Sequence, residues 1–369
     1  MKNRYIITLL LALSIVLSAC AAPTVTQAPA EPAPAEAELT EVSAPEPTVP
    51  SAPEPTEEPL AEPVILRLGA KCGPSPHAMP FLVLMAQTGG TLPSGTQIEF
   101  VPITEPSQMA ALLNSGEVDA MLGFIAQTAN IYKKGGVDNL RLLDILLWKG
   151  FYVVAPEGVK SWEDLQGKKI LMPDPQSGPS QLVITSMRQA GFDPEIDFTV
   201  ENLPASQIVQ MMISGKADAA VFSEPFATIT MSKAKKEGGT PLKIAPIDLY
   251  SVYQADAWDA GQAPINGLLT LQEVLDDPVL STSLFEIETL YIEAVEFMLS
   301  NPDEASQLIV GQLGEFCDSK MEAKPISKAI QSGRMVYGVT PVEELLPDLD
   351  AYIEEIIQNE IDDAFYAKR

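Results

Sequence analysis

The sequence predicts an α/β protein of two similar lobes, each a mostly parallel sheet flanked by helices, joined by two crossover segments. Three observations predict it. The first is an internal echo. Ser107, Gln108, Ser115, Gly116, Asp119 and Ala120 recur 99 residues later as Ser206, Gln207, Ser214, Gly215, Asp218 and Ala219. The second is what each copy spells. Met109, Leu112 and Leu113 share one helical face, as do Ile208, Met211 and Met212. Gly116 and Gly215 sit where a helix ends in a left-handed residue. The runs DAMLG and DAAVF then read as short strands covered on both faces. The third is the strand before each helix, at residues 98–103 and 198–203. Strand, helix, strand is the crossover unit of a parallel sheet.

Taken in order, the chain opens with a leader. Lys2 and Arg4 precede an apolar run over residues 5–17, too short for a comfortable membrane span, which ends in Leu17-Ser18-Ala19-Cys20. That ending resembles the bacterial lipoprotein signal, which implies cleavage after residue 19 and lipidation of Cys20. Several acyl chains on one residue suffice for stable anchoring. Residues 20–63 form a tether. From residue 21 they are Pro, Ala, Glu, Thr, Val and Ser with few others, and have no aromatic, glycine or basic residue. Such a segment buries too little apolar surface to fold, and its prolines and like charges extend it.

The folded part begins with a strand at residues 64–69, a Gly/Pro loop at 70–80 and a helix stopped by Gly89-Gly90. After the first repeat copy come a short helix, 126–134, and strands at 140–147 and 152–155. Trp148-Lys149-Gly150-Phe151 between them is the first candidate hinge. A strand at 168–172, a loop at 174–180 and a helix reaching Gly191 precede the second copy. Pro179 suits a first helical position. A helix at 227–237, a strand at 242–246, an aromatic irregular segment at 247–263 and a strand at 265–270 follow, the last being the second hinge region. From residue 283 the pattern is helical, with stretches at 325–337 and 341–365. These helices are expected on the first lobe. The organisation is therefore leader 1–19, tether 20–63, lobe 1 from 64–148 and 264–369, and lobe 2 from 149–263.

The formal charge of −27 opposes nucleic-acid binding, which needs a basic footprint, and opposes electrostatic docking on anionic lipid. Residues 1–19 carry +2 and residues 21–63 carry −9, so the folded part is itself acidic at −20. One histidine and three cysteines provide no zinc spacing. No cofactor motif is present: the glycines form neither GxGxxG nor a P-loop. With Cys20 reserved for the anchor, Cys72 and Cys317 are either a disulfide or two buried thiols.

SWEDLQGKKILMP (161–173), SGPSQ (177–181), QAGFDPEID (189–197) and ISGKADAAVFSEPF (213–226) resemble the ABC-transporter substrate-binding lipoproteins of the nitrate/sulfonate/taurine and thiamine-precursor binding family. The resemblance implies a type II periplasmic-binding fold and a monomer that captures a small molecule between its lobes. It implies delivery to a membrane permease and no catalysis. A ligand-sensing lipoprotein is the alternative, and an enzyme of the pyrimidine-precursor synthase type a more distant one. That enzyme type depends on a cysteine-rich motif and histidines, which this chain lacks.

Ligands of open parallel sheets sit beyond the carboxyl ends of strands. The expected ligand-binding residues are therefore Ser75, Pro76, His77, Gly123, Phe124, Trp148, Ser177, Gly178, Ser180, Glu224 and Phe226. Ser177, Gly178 and Ser180 form a turn able to accept an anion at a helix start. Glu224 suits a cationic or hydrogen-bond-donating ligand. Trp148 offers a stacking surface. With no arginine in these loops and only Lys71 and Lys149 nearby, a flat or polar organic molecule is expected rather than a small oxyanion.

Overall fold

The 99-residue echo is a repeat of architecture, and the aspartate common to both copies plays the same part in each. In the computed structural model, which describes residues 63–104, 106–173 and 177–368, Asp119 and Asp218 make the same clamp. The Asp119 carboxylate accepts the Arg67 backbone N–H at 2.8 Å and its own N–H donates to the Arg67 carbonyl at 2.8 Å. Asp218 repeats both bonds with Lys169, at 2.9 and 3.0 Å. Gly116 and Gly215 precede them at φ of 68° and 67°, as expected of left-handed helix stops. Each aspartate thus fixes where its strand enters the sheet.

Lobe 1 contains β1 (Ile65–Lys71), α1 (Ala78–Thr88), β2 (Gln97–Ile103), α2 (Met109–Asn114), β3 (Ala120–Phe124), α3 (Ile125–Lys133) and β4 (Leu140–Lys149). Gly150 separates β4 from β5 (Phe151–Pro156), and there the chain changes sheets. Lobe 2 continues with β6 (Lys169–Met172), α4 (Gly178–Gln189), β7 (Thr199–Asn202), α5 (Ala205–Ile213), β8 (Ala219–Ser223), α6 (Phe226–Lys236) and β9 (Leu242–Ile244). The chain returns through β10 (Asn266–Leu271). It ends with α7 (Gln272–Asp276), α8 (Pro278–Ser300), α9 (Pro302–Cys317), α10 (Ala323–Gln331), β11 (Val336–Pro341) and α11 (Asp348–Ile357).

The strand orders are β11-β4-β10-β3-β1-β2 and β7-β6-β8-β5-β9. Leaving out the edge strand β11, they are one topology used twice: two parallel crossover units with a single antiparallel strand inserted beside the third strand. That strand is β10 in one sheet and β5 in the other, each delivered by a crossing of the hinge. The registers agree as well. Leu68 lies opposite Ala120, and Ile170 lies opposite Ala219.

The apolar runs of lobe 2 are explained by cover on both faces. Val153, Ile170, Met172, Ala219 and Val221 point into the main core with Leu182, Val183 and Met187 of α4. Their neighbours Val154, Leu171, Ala220 and Phe222 point into a second cluster with Ile208, Val209 and Met212 of α5.

Two expectations need correction. Residues 336–337 and 341, expected at the end of one helical stretch and the start of the next, belong instead to an edge strand on β4, Val336–Pro341. The β-branched residues and tyrosine of VYGVTP favour extended backbone, and an edge strand tolerates its proline. The carboxyl-terminal elements also do more than cover lobe 1: α10 touches α6, and α11 touches both α3 and α4. Cys72 and Cys317 form a disulfide that ties the first strand's exit to the end of α9. The leader, Cys20, the tether up to residue 62 and residues 174–176 of the second loop lie outside the described residues.

Candidate functional site

The two crossings run side by side. Ala263 N–H donates to Trp148 O at 3.1 Å and Ile265 N–H to Leu147 O at 2.9 Å. One side chain bolts the bend: the Tyr250 hydroxyl accepts from Gly150 and Phe151 N–H at 3.1 and 2.8 Å and donates to Phe151 O at 3.0 Å. A phenol has one proton and two lone pairs, so this hydroxyl is fully satisfied. Burial pushes its pKa up.

The carboxyl ends of the parallel strands converge just beyond this hinge. His77 follows β1, Phe124 ends β3, Ser177 follows β6 and Glu224 follows β8. The Phe124 ring lies 5.4 Å from His77 and 5.7 Å from Phe151, centroid to centroid. It also abuts the start of α4: a Cβ on Gly178 would stand 2.6 Å from Phe124 Cδ1. Only glycine fits there. The strand tips therefore face one another as expected, but they meet in contact rather than across an open gap.

The other expected residues divide. The Ser75 hydroxyl is 3.4 Å from His77 Nε2. Pro76 packs on the hinge, 3.3 Å from where a Gly150 Cβ would be. Ser177 is buried and donates to Ser180 Oγ at 3.2 Å, which donates in turn to Pro173 O, so neither hydroxyl caps α4. Gly123 is a packing position: a Cβ there would strike Thr128, Leu269 and Met109, all of lobe 1. Trp148 is buried against Trp258 and Gly338, and Phe226 packs on the second cluster of lobe 2.

Glu224 lies within the seam, wholly buried, but its carboxylate is not open to a ligand. Oε1 accepts from Arg334 Nε at 2.6 Å and Oε2 from Thr228 N–H at 3.2 Å. Arg334 Nη2 also donates to the Thr228 hydroxyl, and its carbonyl accepts from the Tyr152 hydroxyl. The expected loops carry no arginine, but Lys71 and Lys149 are not the only cations near them. Arg334 arrives from the turn between α10 and β11, 110 residues from its partner, so nothing local to either loop announces it.

Sequence reasoning missed a second residue. Asn266, the first residue of β10, is wholly buried, and neither its amide nitrogen nor its amide oxygen has a hydrogen-bond partner. His77 Nδ1 is in the same condition. Burial first, and Lys71 second, lower the His77 pKa from 6.5 to about 3, so its ring is neutral near pH 7. A lone asparagine opening the apolar run NGLLTL was the available signal.

A groove of about 460 Å³ lies elsewhere, lined by Ile65, Gln97, Phe100 and Phe316 among others. It sits at the amino ends of β1 and β2, opposite to where open sheets bind ligands.

Two sheets of one topology, joined by paired crossings with facing strand tips, define a fold of the type II periplasmic-binding class. The comparisons agree. A family model described as the periplasmic phosphonate substrate-binding protein of ABC transporters matches residues 83–245, from α1 to the end of β9. Among solved structures, an ABC transporter protein of Parabacteroides distasonis is 17% identical, with a TM-score of 0.59 over 83% of this chain and 99% of that one. The periplasmic aliphatic sulphonate-binding protein of Escherichia coli is 16% identical, with a TM-score of 0.59 over 80% and 91%. The alkanesulfonate-binding protein of Xanthomonas axonopodis pv. citri, bound to MOPS, is 13% identical, with a TM-score of 0.57 over 82% and 96%. These likenesses speak to the fold. No curated protein matches the sequence. The family model matches less than half of the chain, and what the chain shares with the solved binding proteins is their two-sheet α/β fold. No helix among the described residues is long and apolar enough to cross a membrane.

Proposed function

We propose that the chain is the lipid-anchored receptor of an ABC importer, held on the outer face of the cytoplasmic membrane through Cys20, and that it clasps a small organic molecule between its lobes. The observation that carries the ligand reading is the meeting of Phe124 at the end of β3 with His77 beyond β1, Gly178 beyond β6 and Phe151 at the start of β5, with Gly150 as the place where the two sheets can part. Hinge closure is the usual motion of such a design. The anchor reading rests on the residues around Cys20 and on an acidic, proline-rich tether long enough to stand the lobes off the lipid.

Two measurements test this. In cells, the wild-type chain fractionates with membranes and the Cys20→Ala chain does not; release of both, or of neither, removes the anchor. In a thermal-shift screen of nucleobases, flavins, sulfonates and oxyanions, a ligand of the native state raises the melting temperature. No shift with any of them removes the receptor.

A further inference from the structure

Asn266 sits directly opposite Phe124 across the β3–β10 ladder. Directly opposed residues project from the same face of a sheet, with Cβ atoms about 5 Å apart. The Asn266 amide is thereby placed beside the ring that touches His77, Phe151 and Gly178. A register shift between Asn266 and Gly267 interrupts the β4–β10 pairing at this point, and such irregularities re-aim a side chain. Gly267 permits it, since a Cβ there would lie 2.4 Å from the Asp144 carbonyl oxygen.

An unpaired amide in a closed interior is destabilising, and so is an unpaired ring nitrogen. Both are found within reach of one aromatic ring at the seam of a binding protein. The charged groups nearby are otherwise engaged: the Arg334 guanidinium is held by Glu224 and Thr228, and Lys71, whose charge reaches His77, has a partner of its own. The helix starts are closed too. The first N–H groups of α1 donate to the Ser75 carbonyl, and the Phe124 ring covers Gly178 at the start of α4.

Resting on the receptor reading above, we propose that Asn266 and His77 are the polar contacts of the bound solute, and that the solute presents to them an uncharged donor–acceptor edge. A cyclic amide or urea has this edge: its N–H donates to Asn266 Oδ1 while its C=O accepts from Nδ2, as a side-chain amide pairs with a cis amide. Phe124 and Phe151 supply faces for a flat ring. A phosphonate or sulfonate group would find no unengaged guanidinium in this cluster.

The test uses the full chain and two panels of probes. Uracil, thymine, hypoxanthine and nicotinamide carry the uncharged edge; methylphosphonate, 2-aminoethylphosphonate, ethanesulfonate and taurine carry the anion. The expected result is a rise in melting temperature with at least one member of the first panel and none of the second. Asn266→Leu, which keeps the branching at Cγ, should weaken that binding at least about tenfold. It should also raise the melting temperature of the free protein by about 2 °C, because it removes two unpaired polar groups from the interior. Binding of an anion alone overturns the inference and leaves the receptor intact. Silence from both panels removes the receptor and the inference together. A fall in melting temperature in both Asn266→Leu and Asn266→Ala assigns Asn266 to structure and also overturns the inference.

Discussion

The Glu224–Arg334 pair joins lobe 2 to the α10–β11 turn, and its two ends are unequally buried. The Glu224 side chain has no exposure, whereas Arg334 keeps 28%. Arg334→Met therefore strands a carboxylate in the interior, which costs about 3–4 kcal/mol. Glu224→Gln keeps a carbonyl for Arg334 Nε and leaves a guanidinium that already reaches water, so the loss is about 1–2 kcal/mol. The double variant has no stranded charge and should be more stable than the sum of the singles predicts, by about 1.5 kcal/mol or more. Urea unfolding of the four proteins at pH 7 measures this cycle. A second signature separates charge from packing. In Arg334→Met, the stranded carboxylate takes up a proton in the folded state more readily than in the unfolded one. The deficit relative to wild type should then shrink between pH 7 and pH 5. Equal costs for the two singles, strict additivity and a deficit independent of pH would together refute the reasoning.

Three further outcomes follow from the same geometry. His77 is held neutral with its pKa at about 3, so the unfolded chain binds a proton that the folded one does not as pH falls below 6.5. Stability is then lost on acidification, by about 2–3 kcal/mol between pH 6.5 and 4.5. His77→Gln should flatten that part of the acid-unfolding curve; an unchanged slope contradicts it. Gly178→Ala forces a methyl group into the Phe124 ring, costing about 1–3 kcal/mol. Phe124→Leu should recover part of that in a double variant, as melting temperatures would show. Cys72→Ser opens a loop of 245 residues in sequence separation, and about 2–5 kcal/mol of unfolding free energy should disappear with it. Reduction of the wild type should reproduce the loss, and a reduced chain as stable as the oxidised one contradicts it.

The parts of the fold legible in the sequence were those made by local chemistry. Gly116, Gly215, Asp119 and Asp218 mark the repeat because each does a job within its own strand–helix–strand unit. The change of sheet at Gly150 was legible because that glycine interrupts two apolar strands. What the sequence hid came from afar. β11 joins β4 across nearly two hundred residues, and its short run of β-branched residues lies between two amphipathic helical patterns. Arg334 reaches Glu224 from that same segment, so missing the strand meant missing the cation. The pairing of Cys72 with Cys317 was undecidable for the same reason, since spacing alone does not bring two cysteines together. Trp148 offered a stacking surface by type, and only the fold shows that Trp258 and Gly338 lie against it.

The arrangement also bears on how a solute enters. Closure here is held by two kinds of contact. The Tyr250 bonds and the paired crossings belong to the hinge itself and need not break when the lobes part. The Phe124–Gly178 contact and the bonds of Arg334 to Glu224, Thr228 and Tyr152 span the seam, and parting the tips requires giving them up. A solute that merely replaced the Phe124 contact would gain little, because a ligand shifts such an equilibrium only by its difference in affinity for the two states. The groups that offer that difference are the ones closure leaves unpaired. Asn266 and His77 Nδ1 have no partner in the closed protein, whereas water can serve them once the seam opens. Bonds made to them by an enclosed solute would therefore offset a cost that only the closed state carries. On the proposal above, two destabilising polar residues would thereby couple capture to closure.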